Sequence, residues 1–294
     1  MEALNHEKII KNLVTDKERA LYGLTNAQVV GCEFVGPADG ESCLKETSNL
    51  LIKGCDFKLR YPLWHNSNSQ IVDCTMHETC RAPIWYSNNV TYKNLTCNGI
   101  KAIRECNNLV IEDCYFNSGE FAWLSQNLKV LNTKVVSEYP FFSITDSTFN
   151  RLEMKAKYSF QYCKNLVLEN CVLDTKDAFW HGENVIVKNC IVKGEYLAWY
   201  SKNLTFIDCE IRGTQPFCYA ENLKLINCRL YECDLAFENT TVEADVVTSI
   251  DSVKNPIGVI KAPTIGEIII DEFARGTCQI ITEDNNQQKK TASA

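Results

Sequence analysis

The chain has 294 residues, 45% of them hydrophobic, and a net charge of −7. That is enough apolar material for a substantial core and the wrong sign for a nucleic-acid groove. Its 16 cysteines include no Cys-x-x-Cys pair, and His6, His65, His77 and His181 form no ligand cluster in sequence, so neither a metal site nor a cofactor is expected.

Residues 1–25 carry Glu2, Glu7, Lys8, Lys11, Asp16, Lys17, Glu18 and Arg19 with no long apolar run, and are expected to cap the first turn of the fold. No secretory or membrane-spanning segment is expected. Together with the many unpaired cysteines, this predicts a cytoplasmic location and no membrane partner.

A repeat follows over 26–282. Its marker is Asn, once Asp, at Asn26, Asn49, Asn68, Asn89, Asn108, Asn127, Asp146, Asn165, Asn184, Asn203, Asn222 and Asn239. The seven spacings from Asn89 to Asn222 are 19 residues, and the outer ones run from 17 to 23. Three residues after the marker stand Val29, Ile52, Ile71 and Ile111; eight after it stand Phe34, Phe57, Phe116 and Ile211. Such spacing in β-branched company reads as strand. A unit this short buries its apolar face only by stacking on neighbours.

Two solenoids compete. Residues 166–173 fit the core of a leucine-rich repeat, but the period is at or below the shortest such unit. Pro62, Pro83, Pro140 and Pro216 in the other half of the unit also argue against a helix there. The expected fold is therefore all-β, a single-stranded right-handed parallel β-helix of about 11–12 rungs. The marker Asn is expected to turn the chain in left-handed backbone and to stack into an amide ladder. Cys32, Cys55, Cys74, Cys114, Cys171, Cys190, Cys209 and Cys228 share the slot six after the marker, and are expected as stacked core residues rather than disulfides.

The half-unit before each marker carries the functional argument. Five before it stand Leu44, Leu63, Ile84, Ile103, Ala122, Phe141, Phe160, Phe179, Ala198 and Phe217, a wholly apolar column that should face inward. Four before stand Lys45, Trp64, Trp85, Arg104, Trp123, Phe142, Gln161, Trp180, Trp199 and Cys218, which include every tryptophan of the chain. Strand alternation turns that column outward, together with a mostly small column six before the marker that includes Pro62, Pro83, Ala102, Ala178 and Pro216. A charged column eight before, with Arg81 and Glu195, completes one expected face: a charged rail, a floor of small side chains and a wall of aromatics.

Flat sugar rings stack on exposed indoles. Trp64, Trp85, Trp123, Trp180 and Trp199, with Tyr86, His181 and Tyr200 beside them, are the expected ligand-binding residues, and an oligosaccharide is the expected partner. The function read from this face is carbohydrate binding or processing. An apolar stripe also serves as a protein interface, so the alternative is a non-catalytic scaffold or a homo-oligomer. If the chain is an enzyme, the candidates are Arg81, Lys101 and Arg104, with Glu120 nearby, and Asp177 and Glu195, with Lys176 and His181 nearby. A carboxylate beside a cation suits a lyase, and paired carboxylates suit glycoside hydrolysis. On a solenoid such charges more often serve solvation and turn-to-turn pairing.

Periodicity decays after Asn239, with closing strands expected over 253–260 and 265–270. The polar segment 283–294 is expected to be disordered. Finally, the stretches Gly40-Glu41-Ser42-Cys43-Leu44-Lys45, Tyr61-Pro62-Leu63-Trp64, Arg81-Ala82-Pro83-Ile84-Trp85-Tyr86, Lys176-Asp177-Ala178-Phe179-Trp180, Gly194-Glu195-Tyr196-Leu197-Ala198-Trp199 and Ser252-Val253-Lys254-Asn255-Pro256 resemble a bacterial domain-of-unknown-function family with a right-handed parallel β-helix fold. The resemblance spans nearly the whole chain. It implies a pectin-lyase-like β-helix and brings no catalytic residue with it; the active-site motifs of pectate lyases and polygalacturonases have no match here.

Overall fold

All twelve marker residues have left-handed backbone in the computed structural model, which describes residues 7–36 and 40–283, with φ between 49° at Asn239 and 57° at Asn108. Asn enters this region at low cost because its short side chain finds local hydrogen bonds. Here the amides bond from turn to turn. Asn49 Nδ2 donates to Asn26 Oδ1 at 3.0 Å, Asn184 to Asn165 at 3.0 Å and Asn203 to Asn184 at 2.9 Å. A second ladder stands five residues after the marker, where Asn94 donates to Asp73 at 2.8 Å and Asn189 to Asn170 at 2.6 Å. Each turn of the chain thus has two left-handed corners flanking one six-residue strand.

The result is an all-β parallel solenoid with a turn of about 19 residues. Its contacts divide it into two units, Met1–Met154 and Lys155–Ala294. In the first, strands Thr25–Val30, Ser48–Lys53, Ser67–Val72, Asn88–Lys93, Asn107–Glu112, Gln126–Leu131 and Thr145–Asn150 pair in parallel in that order. A second stack of shorter strands runs from Glu33–Phe34 through Tyr115–Asn117 to Lys134–Ser137. A third joins Leu63–Trp64, Ile84–Trp85 and Ile103–Arg104. Residues expected in the cap supply a turn of their own: Lys8–Lys11 pairs with the strand that starts at Thr25, and Val14–Thr15 with Glu33–Phe34.

In the second unit the main stack runs through Lys164–Glu169, Glu183–Lys188, Lys202–Ile207 and Leu223–Tyr231. It continues past the last marker through Thr241–Val246, Ile257–Lys261 and Cys278–Ile281. Ile250–Lys254 and Ile265–Ile269 pair beside it. Of the tail, residues 284–294 lie outside the described residues.

The column five before the marker is buried at every turn, with Phe160 and Phe179 stacked at 5.1 Å. The column six before it is buried too, and this corrects the expected floor: Ala102, Phe121, Ser159, Ala178 and Leu197 lie inside rather than on an open face. The cause is backbone handedness. Tyr61, Ala82 and Lys101, seven before their markers, and Phe141, Phe179 and Ala198, five before theirs, have positive φ. A left-handed residue in a short strand breaks the period of two, so two consecutive side chains enter the core.

The cysteine column is internal and unbridged. Its thiols bond to the corners, as where Cys190 Sγ donates to Lys188 O at 3.1 Å and accepts from Cys171 N at 3.2 Å. Thr133 stands in the same slot and reproduces the pattern, donating to Leu131 O at 2.8 Å.

Candidate functional site

All five tryptophans lie half-buried on the outside of the solenoid, but the two units use them differently. In the first unit Trp64 and Trp85 stack 5.3 Å apart and 2° from parallel. The Lys45 ammonium lies 5.4 Å from the Trp64 ring centre. The Arg104 guanidinium lies 5.3 Å from that of Trp85 and 5.6 Å from that of Trp123, and Trp123 meets Phe142 at 5.2 Å. Lys45 and Arg104, members of the same outward column, belong to the stack, and their charge sits against the electron-rich ring faces. Tyr86 stacks on His65 at 4.8 Å and meets Trp85 edge-on.

Two of the charged candidates of this unit are also paired. Lys101 Nζ lies 3.2 Å from Glu120, and Arg104 Nε lies 3.3 Å from Glu105. Arg81 is exposed, one turn before Lys101.

In the second unit Trp180 and Trp199, one turn apart, line a pocket of about 370 Å³ with Asp177, Tyr196 and Gln215. The three added residues form a single column, seven before the marker, so the pocket lies where two outward columns meet over three turns. Sequence reasoning named Asp177 and both tryptophans but missed Tyr196 and Gln215. Reading the seven-before column in full would have found them. Beside the pocket, Tyr162, His181, Tyr200 and Tyr219 stack in sequence at 5.0, 5.3 and 5.0 Å. His181 and Tyr200 are thus held in a ladder of their own.

Two polar atoms set the pocket apart. Four indole N–H groups donate to a carbonyl on the next turn: Trp64 to Ala82 at 2.6 Å, Trp85 to Lys101 at 2.8 Å, Trp123 to Tyr139 at 2.6 Å and Trp199 to Gln215 at 2.8 Å. Trp180 Nε1 is buried and has no hydrogen-bond partner, and the same holds for Asp177 Oδ1. Burial raises the Asp177 carboxyl above its ordinary range; Lys176 opposes this and Glu195 adds to it. Glu195 lies 3.8 Å from Lys176, and the Lys176 ammonium lies 5.8 Å from the Tyr196 ring centre. A donor and an acceptor left bare beneath aromatic walls are costly while unpartnered and form a ready pair for a ligand.

Among the described residues no group of three or more His, Cys, Asp or Glu side chains is placed to hold a metal ion. The fold and this site define a parallel β-solenoid that carries an aromatic side chain at a fixed place in many of its turns. The chain belongs to the family described as a protein of unknown function (DUF3737), whose profile matches residues 8–282. No curated protein is similar to it in sequence.

Among solved structures it is similar to the Streptococcus pneumoniae surface protein and adhesin PfbA, with 10% identity, TM-score 0.38, and 93% of this chain and 91% of that chain covered. It is also similar to a mannuronic acid specific polysaccharide family 6 lyase from human gut microbiota, with 9% identity, TM-score 0.38, and 96% and 87% covered. A third is the A-module of the Azotobacter vinelandii mannuronan C-5 epimerase AlgE4, with 9% identity, TM-score 0.30, and 94% and 91% covered.

Proposed function

We propose that this protein binds saccharide in the pocket of its second unit, between Trp180, Tyr196 and Trp199. The observation that carries this reading is the indole N–H of Trp180, which alone among the five has no backbone acceptor. A sugar ring places C–H faces against the indoles while its oxygens accept from Trp180 and its hydroxyls donate to Asp177. The first-unit column is not part of this site, because its ring faces are occupied by Lys45, Arg104 and one another.

Calorimetric titration of the full chain with a panel of oligosaccharides tests the reading. Binding to at least one of them, lost in Trp180→Ala and kept in Trp64→Ala, supports it. No heat with any saccharide, or equal binding by both variants, removes it. If light scattering then shows a dimer that Trp180→Ala dissociates, the same face is an interface between copies instead.

A further inference from the structure

We infer that the saccharide unit seated in this pocket carries a free amino group, whose ammonium rests on Asp177 among the three aromatic rings. The inference rests on the saccharide reading above and names the class of sugar. Of the five lining residues only Asp177 bears a charge, and its inner oxygen has no donor within the protein. The cation that acts on it, Lys176, is shared with Glu195 at 3.8 Å and lies on the Tyr196 ring. It has left Asp177 Oδ1 without a hydrogen bond. A neutral hydroxyl would satisfy that oxygen as a donor but would bring no charge to a carboxylate for which Lys176 only partly offsets burial, whereas an ammonium does both.

The walls favour the same choice. Trp180, Tyr196 and Trp199 present rings whose faces attract cations, and a desolvated cation gains more from them than an exposed one. A bare alkylammonium leaves the other anomaly unresolved, since Trp180 Nε1 requires an acceptor that such an ion lacks. A hexosamine unit supplies all three elements on one ring: an ammonium for Asp177, an oxygen for Trp180 and an apolar face for the indoles. The pocket volume of about 370 Å³ suits one such unit. N-acetylation would replace the cation with a neutral amide and add bulk at the carboxylate.

The test is calorimetry of the full chain with four probes: the β-1,4-linked trimer of glucosamine, the matched N-acetylglucosamine trimer, the matched glucose trimer, and tetramethylammonium. The glucosamine trimer is expected to bind at least about tenfold more tightly than either other trimer. Asp177→Asn, which keeps shape and removes charge, should bring the trimers to near parity. Trp180→Phe, which keeps the ring and removes the donor, should weaken all trimers by a similar factor.

Equal binding of the glucose or acetylated trimer by the wild type overturns the ammonium seat and leaves the saccharide reading intact. So does a preference that survives in Asp177→Asn. Tetramethylammonium binding without any trimer overturns the saccharide reading and, with it, the amino sugar. The wild-type comparison stands whether or not either variant folds.

Discussion

Trp64 and Trp85, at equivalent places on successive turns, lie face to face within 2° of parallel. Trp180 and Trp199 occupy the same repeat position in the second unit and line a pocket instead. The first pair belongs to a column closed by Lys45 and Arg104, so its contribution should be to stability alone. Arg104→Ala removes the cation from two ring faces and is expected to cost about 1–2 kcal/mol in denaturant unfolding. Calorimetric binding of any saccharide should be unchanged.

Asp177 should work against folding at neutral pH. Its folded carboxyl titrates above the ordinary value of 3.8, chiefly through burial. Between those two values the folded state holds more proton than the unfolded one, so stability falls as pH rises through the window and stays lower above it. Asp177→Asn does not titrate. It is expected to melt above the wild type at pH 7, with the gain vanishing once the pH is well below 3.8. A lower melting temperature for the variant at pH 7 would show that Lys176 outweighs burial.

Adjacent residues on one turn should respond in opposite ways. Phe179 is fully buried and stacks on Phe160. Phe179→Ala is expected to destabilise the protein by about 3–5 kcal/mol. Trp180→Phe, at the half-exposed neighbour, should cost about 1 kcal/mol or less while it impairs binding. Denaturant midpoints beside titration heats separate the two.

Handedness and hydrogen bonding at the corners can be told apart at Asn184. Its φ is 56°, and its amide donates to Asn165 and accepts from Asn203. Asn184→Gly loses the ladder but tolerates the backbone, whereas Asn184→Ala loses both. Alanine should therefore lie about 1–2 kcal/mol below glycine, a difference readable from thermal or denaturant unfolding.

Fifteen of the sixteen cysteines are buried, and only Cys278 is partly open. Burial pushes the thiols of Cys97 and Cys106 up to about 12, so little thiolate exists near neutral pH. Iodoacetamide is expected to modify Cys278 first in the native protein and to reach the others only on unfolding. Peptide mass mapping reads the order.

What the sequence disclosed follows from what is local. The marker Asn, the inward column that holds Phe160 and Phe179, and the unbridged cysteines each depend on one residue's own preference repeated every turn, so periodicity exposed them. The column containing Ala178 and Leu197 lies inside because strict alternation, the only rule a sequence offers, fails at those turns. A left-handed residue such as Phe179 is not a residue type that announces positive φ. Lys45 and Arg104 stand in the outward column that alternation predicts, but no sequence pattern shows that their charges rest on the indole faces, where a guanidinium is half-covered. The site itself was half-legible. Asp177, Trp180 and Trp199 were named, but the bare Trp180 N–H depends on which carbonyl of the following turn it fails to reach, and no pattern in one dimension carries that.

The paired corner ladders decide where a turn of this chain can change in length. Between Asn89 and Asn108 one excised segment of 19 residues returns every strand to the same phase against its new neighbour, and the amide bonds from Asn49 to Asn26 and from Asn94 to Asp73 show that longer turns take up their extra residues between the corners. Evolution, or a protein engineer, can therefore shorten or extend the first unit by whole repeats without renegotiating its core. The pocket cannot be edited that way, because Asp177 and Trp180 on one repeat meet Tyr196 and Trp199 on the next, and the junction between that particular pair has no duplicate.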